Sequence, residues 1–279
     1  MERRFLLGVS TSIFPGLSLS RREYALLARH GVDSVEIGYE QMGPALLDAQ
    51  RRRQLVALAE HARPPVCSAH APYRPSRDLS AQDEPQRLAA VEHAREALTL
   101  ASQLGARQLV IHASEDPILP GTRPGRLGQA RASLGELVPE ARALNLRLAL
   151  ETMPPEWLPA SVREAFELVE GLDPRVIGFC LDTNHSNLTE DLPSMVLAME
   201  SRLLNVHLSD NDAVKQRHWM PLKGVIDWGA LLGALDAVSY RGPLHYELDP
   251  HPSGPERGLQ EISGNFQQLL ALGPGQSAA

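Results

Sequence analysis

Residues 175–187 read RVIGFCLDTNHSN: an apolar run that ends in Asp182, with His185 three residues further on. A continuous Val/Ile/Leu/Phe run of this kind suits a parallel strand covered on both faces. A buried carboxylate at its end is costly unless it is paired or bound to a cation. The stretch is therefore either an ordinary strand-to-loop junction or half of a site, and the rest of the chain decides which.

The same design recurs along the sequence. Strand-like runs FLLGVSTS, SVEIGYE, PVCSAHAPY, QLVIHAS, RLALETM, VIGFCLDTNH, LLNVHLSDN and PLHYELDP alternate with segments of helical period. SRREYALLARHG (20–31) opens on a Ser cap and closes on Gly31, as a helix should. PALLDAQRRRQLVALAEHA (44–62) carries one apolar stripe, EPQRLAAVEHAREALTLASQLG (84–105) ends on Gly105, and GQARASLGELVPEARALN (128–145) is expected to kink at Pro139. SVREAFELVEGL, LPSMVLAME, DWGALLGALDAV and GLQEISGNFQQLLAL complete the set. Eight strand–helix units in 279 residues predict an α/β protein, a single (β/α)8 TIM barrel over residues 1–272 with a disordered tail at 273–279. A doubly wound open sheet would need a Gly-rich phosphate turn after the first strand, and VSTSIFPGLS is not one. Neither a P-loop nor a nucleophile elbow is present. The long connection SEDPILPGTRPGRLG (114–128) is expected to be a flap over the barrel mouth.

Composition narrows the function. A formal net charge of -7 argues against nucleic acid as the main partner. The apolar run FLLGV near the start is too short for a signal peptide, and no window approaches the roughly 20 apolar residues of a membrane span. Cys67 and Cys180 both fall inside strand-like runs, which fits small core residues in a reducing compartment. A cytoplasmic protein is expected, not bound to membranes.

In a barrel the active site lies at the carboxyl ends of the strands. Strand three closes on His70, strand four on His112, strand five on Glu151, strand six on Asp182, strand seven on His207 and strand eight on Glu247. One polar residue at a strand end is usually a loop boundary; six consecutive strands ending in His, Asp or Glu, with neither Lys nor Arg among them, is a pattern of lone-pair donors. Imidazole nitrogen with carboxylate oxygen suits Zn, Mn, Co or Fe better than an all-oxygen Ca site. Side chains alternate along a strand. If Glu151 points inward so does Ala149, and by the same parity Cys180 lies below Asp182 and Asn205 below His207. His245, below Glu247, is expected to be an inner-layer residue.

The motifs SAHAPY, VIHAS, LALET, LDTNH, NVHLSDN followed by RHWMPLKGVIDW, and HYELD together resemble the xylose-isomerase-like barrel superfamily of sugar and sugar-phosphate isomerases and epimerases, a distant relative of which is endonuclease IV. For the ketose epimerases, the resemblance implies one divalent ion (Mn, Zn, Co or Mg) on Glu151, Asp182, His207 and Glu247. Glu151 and Glu247 double as acid and base, taking and returning a proton through a metal-stabilised enediolate. Substrate contacts are implied at His185 and Arg217, with His218 beside them and Lys223 offered to an anion such as a phosphate. The substrate would be a small carbohydrate, and a homo-oligomer would be in keeping with similar proteins. A dehydratase begins with the same proton abstraction. The alternative is a zinc phosphodiesterase acting on abasic DNA: the nuclease's further ligands would fall on His70, His112, His185, Gln216 and His218. The nuclease has Asp where this chain has Gln216, and an amide is a poor zinc ligand. His70 and His112 still leave room for a second metal beside Glu151. A barrel that binds a metabolite without turnover would not need two glutamates flanking a metal.

Overall fold

Parallel strands β1 (Leu6–Ser10), β2 (Ser34–Ile37), β3 (Val66–His70), β4 (Gln108–Ile111), β5 (Arg147–Glu151), β6 (Ile177–Asp182), β7 (Leu203–Leu208) and β8 (Pro243–Tyr246) pair in chain order, and β8 returns to β1. The result is the expected closed eight-stranded TIM barrel. It is seen in a computed structural model that describes residues 5–16, 19–115, 117–119 and 121–272. The tail at 273–279 lies outside the described residues. Among the described residues no helix is long and apolar enough to cross a membrane.

Alternation along the strands divides the interior. Leu148 and Leu150 of β5 face the helices and join the main core, whereas Ala149 packs inside the barrel with Val110, Cys180 and Leu204. That inner cluster is small, and fully buried polar groups share the inside of the barrel with it: Ser34, Glu36, Ser68, Asn205 and His245. Gly8 makes this possible. A Cβ at that position would lie 2.4 Å from Cδ2 of His245, its partner across the β1–β8 ladder.

The helices are α1 (Arg21–Arg29), α2 (Tyr39–Leu47), α3 (Ala49–Ala59), α4 (Glu84–Gln103), α5 (Arg123–Ala143), α6 (Val162–Leu168), α7 (Thr183–Ser186), α8 (Leu192–Met199), α9 (Trp228–Ala237) and α10 (Pro255–Ala271). Helix α1 starts as the sequence predicts, with a capping box between Ser20 and Glu23. Three expectations change. The stripe at 44–62 is two helices, because Asp48 leaves helical geometry and its Oδ1 accepts from the backbone N–H of Gln50 and Arg51, capping α3. Helix α5 runs on through Pro139. It also begins at Arg123, with Pro124 in its first turn, where a missing N–H costs nothing. The supposed 114–128 loop is therefore shorter than expected. What precedes α5 is tied to the loop after β5: Ile118 N–H donates to Glu156 O at 2.7 Å and Trp157 Nε1 to Glu115 O at 3.2 Å.

Candidate active site

Strand register sets the height of each functional side chain. Asp182 pairs with His207 across β6–β7, and His207 pairs with His245 across β7–β8, so Glu247 sits one inward layer above His245. Glu151 closes β5, opposite Cys180. Asp182 is held further by its capping role: Oδ1 accepts from His185 N–H at 2.8 Å at the start of α7.

Glu151, Asp182, His207 and Glu247 thus offer ligand atoms that all lie within 4.8 Å of one another. His207 Nδ1 is 3.0 Å from Glu247 Oε2, 3.5 Å from Glu151 Oε1 and 3.8 Å from Asp182 Oδ2. Two ligand atoms on a tetrahedral ion about 2.1 Å away stand about 3.4 Å apart, so this spacing fits a first-row divalent cation. Asp182 Oδ2 and His207 Nδ1 are buried and have no hydrogen-bond partner. A buried orphan acceptor facing other carboxylates is unfavourable by itself, and a cation would satisfy every member of the group.

A second group adjoins the first. His70 Nε2 and His112 Nε2 approach Glu151 Oε2 at 2.9 and 3.1 Å, and the three residues form another metal-capable cluster. His70 Nδ1 faces Ala71 O at 2.9 Å, and His112 Nδ1 lies 3.5 Å from Glu115 Oε1. The charges follow from these contacts. Burial alone would raise the Glu151 carboxyl, but His112 and His207 outweigh it and hold Glu151 well below the usual carboxylate range. Burial is likewise overcome at Glu247, which His207 holds down to about 2. Asp182 goes the other way: burial and the neighbouring Glu151 and Glu247 push it up despite His185. His112 is drawn down by burial, yet Glu151 and Glu115 push it up to about 10.

Above these groups lies a cavity of about 340 Å³. Glu151, Glu247, His185 and His218 reach it, and Gln216 lies on its rim. His185 Nδ1 faces Thr152 O at 3.0 Å, and His218, at a positive φ of 46°, has Nδ1 3.3 Å from Glu247 O. The backbone that carries His218 is pinned by Asp210, which bridges to Trp219 and accepts from Trp228 Nε1 at 2.8 Å. Two residues proposed for substrate are not brought to the cavity. Arg217 is paired with Asp212 Oδ2 at 2.9 and 2.6 Å and stacks on Trp219. Lys223 is exposed and does not line the cavity. Tyr73, Glu115, Met153 and Trp157 do line it, although nothing at a strand end announced them. Glu36 is also unanticipated: it is fully buried and lies 2.9 Å from His207 Nε2. Its signal was a lone carboxylate inside the apolar run SVEIG. A larger hollow of about 870 Å³ opens at the opposite end of the barrel. It has no histidine in its lining, and two of its arginines, Arg142 and Arg175, are already paired with Asp173.

Residues 24–268 match the family of xylose isomerase-like TIM barrels, and the chain belongs to that family. A ketose 3-epimerase of Arthrobacter globiformis is 28% identical over 225 residues, 78% of this chain and 73% of that enzyme. An uncharacterized protein of Sinorhizobium fredii (strain NBRC 101917 / NGR234) is 29% identical over 170 residues, 58% of this chain; the chain spans about half of that relative, 53% of its length. The crystal structure of a D-tagatose 3-epimerase-like protein has the same fold, with a TM-score of 0.80 at 22% identity over 95% of this chain and 98% of that one.

Proposed function

We propose that this barrel is a divalent-metal-dependent sugar or sugar-phosphate isomerase/epimerase. The observation that carries the reading is the convergence of Glu151, Asp182, His207 and Glu247, two of which, Glu151 and Glu247, line the cavity. The likeness to a ketose 3-epimerase supports it. A divalent ion on those four residues would act as a Lewis acid, polarising a substrate carbonyl and acidifying the adjacent C–H.

The chain's own residues then do the proton work. Glu151 and Glu247 come from strands three apart in the barrel order, so they reach a bound substrate from different sides. Both are held as carboxylates at neutral pH, the form a general base needs. One removes the proton. Inversion follows when the other glutamate, having first taken a proton from water, delivers it to the opposite face of the carbon, and return of the abstracted proton to the neighbouring carbon isomerises. His185 and His218 offer ring nitrogens to substrate oxygens, while Tyr73 and Trp157 wall the cavity and keep bulk water off the reacting carbon.

The test is product formation. The metal-loaded protein, incubated with a panel of free ketoses and their phosphates, should convert at least one to an epimer or an aldose, as read by NMR. No conversion across the panel would count against the reading. The His70–His112–Glu151 cluster favours one competitor, a multi-metal phosphodiesterase. Nicking of an abasic-site duplex would establish it, and elimination of water from a substrate would indicate a dehydratase.

A further inference from the structure

Glu36 has no role in the proton chemistry. It does not line the cavity, yet it is an acid with no exposure to solvent. A carboxylate so placed costs stability unless several donors meet it. Two donors and one ring nitrogen do. Ser68 Oγ donates to Oε2 at 2.5 Å and Asn205 Nδ2 donates to the same oxygen at 2.9 Å, while Oε1, which no donor meets in hydrogen-bond geometry, lies 2.9 Å from His207 Nε2.

The surrounding contacts fix the direction of each bond. His245 Nε2 is 3.0 Å from Ser34 Oγ, and His245 Nδ1 is 2.7 Å from Asn205 Oδ1. The Asn205 oxygen can only accept, so His245 carries its proton on Nδ1 and Ser34 donates to Nε2. That orientation turns the Asn205 amide nitrogen toward Glu36. Asn205 Nδ2 also lies 3.2 Å from His207 Nε2. The Glu36 oxygen is nearer and charged, and it is the acceptor that can take a ring proton. His207 Nδ1 is thereby left facing the carboxylates of Glu151, Asp182 and Glu247.

We propose that Glu36 is the positioning residue of the metal centre: it holds the His207 proton on Nε2, presents Nδ1 as the ligand atom, and so sets the affinity for a divalent cation. The inference rests on the metal reading above but not on the identity of the substrate. A carboxylate behind a ligating histidine fixes ring and tautomer, and its loss typically weakens metal binding about 10–100-fold.

Two measurements test it, neither using turnover. Zn2+ affinity, measured against a competing chelator, should fall about 10–100-fold in Glu36→Gln. The metal-free variant should remain folded by circular dichroism. In the Zn2+-loaded wild type, nitrogen NMR of labelled histidines should show His207 protonated at Nε2 and ligated through Nδ1. This second measurement decides the matter if the variant does not fold. Unchanged Zn2+ affinity in a folded Glu36→Gln, or ligation through Nε2, would overturn the inference while leaving the metal site standing. A wild type that binds no Zn2+ would overturn both.

Discussion

Replacing Glu151 and Asp182 by their amides should move the stability of the metal-free protein in opposite directions. Glu151 Oε2 receives His70 Nε2 at 2.9 Å and His112 Nε2 at 3.1 Å, and all three side chains are buried. Hydrogen bonds to charged groups are worth about 1.5–3 kcal/mol each, and breaking a buried pair leaves the partner uncompensated. Gln in place of Glu151 keeps one acceptor oxygen but loses the charge and turns N–H donors toward imidazoles. The expected loss is about 3 kcal/mol, a fall in Tm on the order of 5–10 °C. Asp182 is different. Its Oδ2 has no partner, and Oδ1 only caps α7, which Asn does equally well. Its raised pKa means that folding favours the protonated form. That contribution is present below the usual carboxylate range and lost as pH rises, so a charge on Asp182 detracts from stability. Glu151, held low, contributes above the usual range and loses its contribution as pH falls. Calorimetry in chelator at pH 7 should therefore show a lower Tm for Glu151→Gln and an unchanged or higher Tm for Asp182→Asn. Saturating metal should raise the wild type by far more than either variant. Equal losses in both variants would refute this electrostatic account of the cluster.

Three further outcomes follow from the same contacts. Burial pulls His207 down, but the carboxylates of Glu36, Glu247 and Glu151 push it well above its ordinary value, so a metal must displace a proton from it. Metal affinity should rise about tenfold per pH unit between about pH 6 and 7 in calorimetric titrations, and a flat profile would contradict this. Gly8→Ala places a Cβ 2.4 Å from a His245 ring held on both sides by Ser34 and Asn205, and should cost about 1–3 kcal/mol, read as a lower Tm. Arg217→Ala should change the KM for the ketose by less than about fivefold, the worth of a surface ion pair, because Arg217 is spent on Asp212 and Trp219; a larger rise would restore it to substrate binding.

The barrel was legible because strands buried on both faces cannot hide their apolar runs, and the candidate site was legible because His, Asp and Glu stand at the ends of those runs, where the strands open into the barrel mouth. Ala149 inward and Leu150 outward follow from alternation alone. What escaped depended on side-chain pairing that spacing does not encode. Asp48 breaks the 44–62 stripe by capping, and Pro124 permits a helix start that the loop composition conceals. Arg217 is paired within its own loop, five residues from Asp212. Glu36 sits in the middle of a run, below the layer where strand ends attract notice. Trp157 reaches the cavity from a loop whose position depends on its bond to Glu115.

The most direct test of the central claim is solvent exchange at carbon. The metal-loaded wild type in D2O, given a ketose it converts, should wash deuterium into the carbon next to the carbonyl, and Glu151→Gln and Glu247→Gln should each abolish that signal with the fold intact. Conversion without deuterium incorporation, or full exchange in both variants, would contradict proton abstraction by this pair of glutamates.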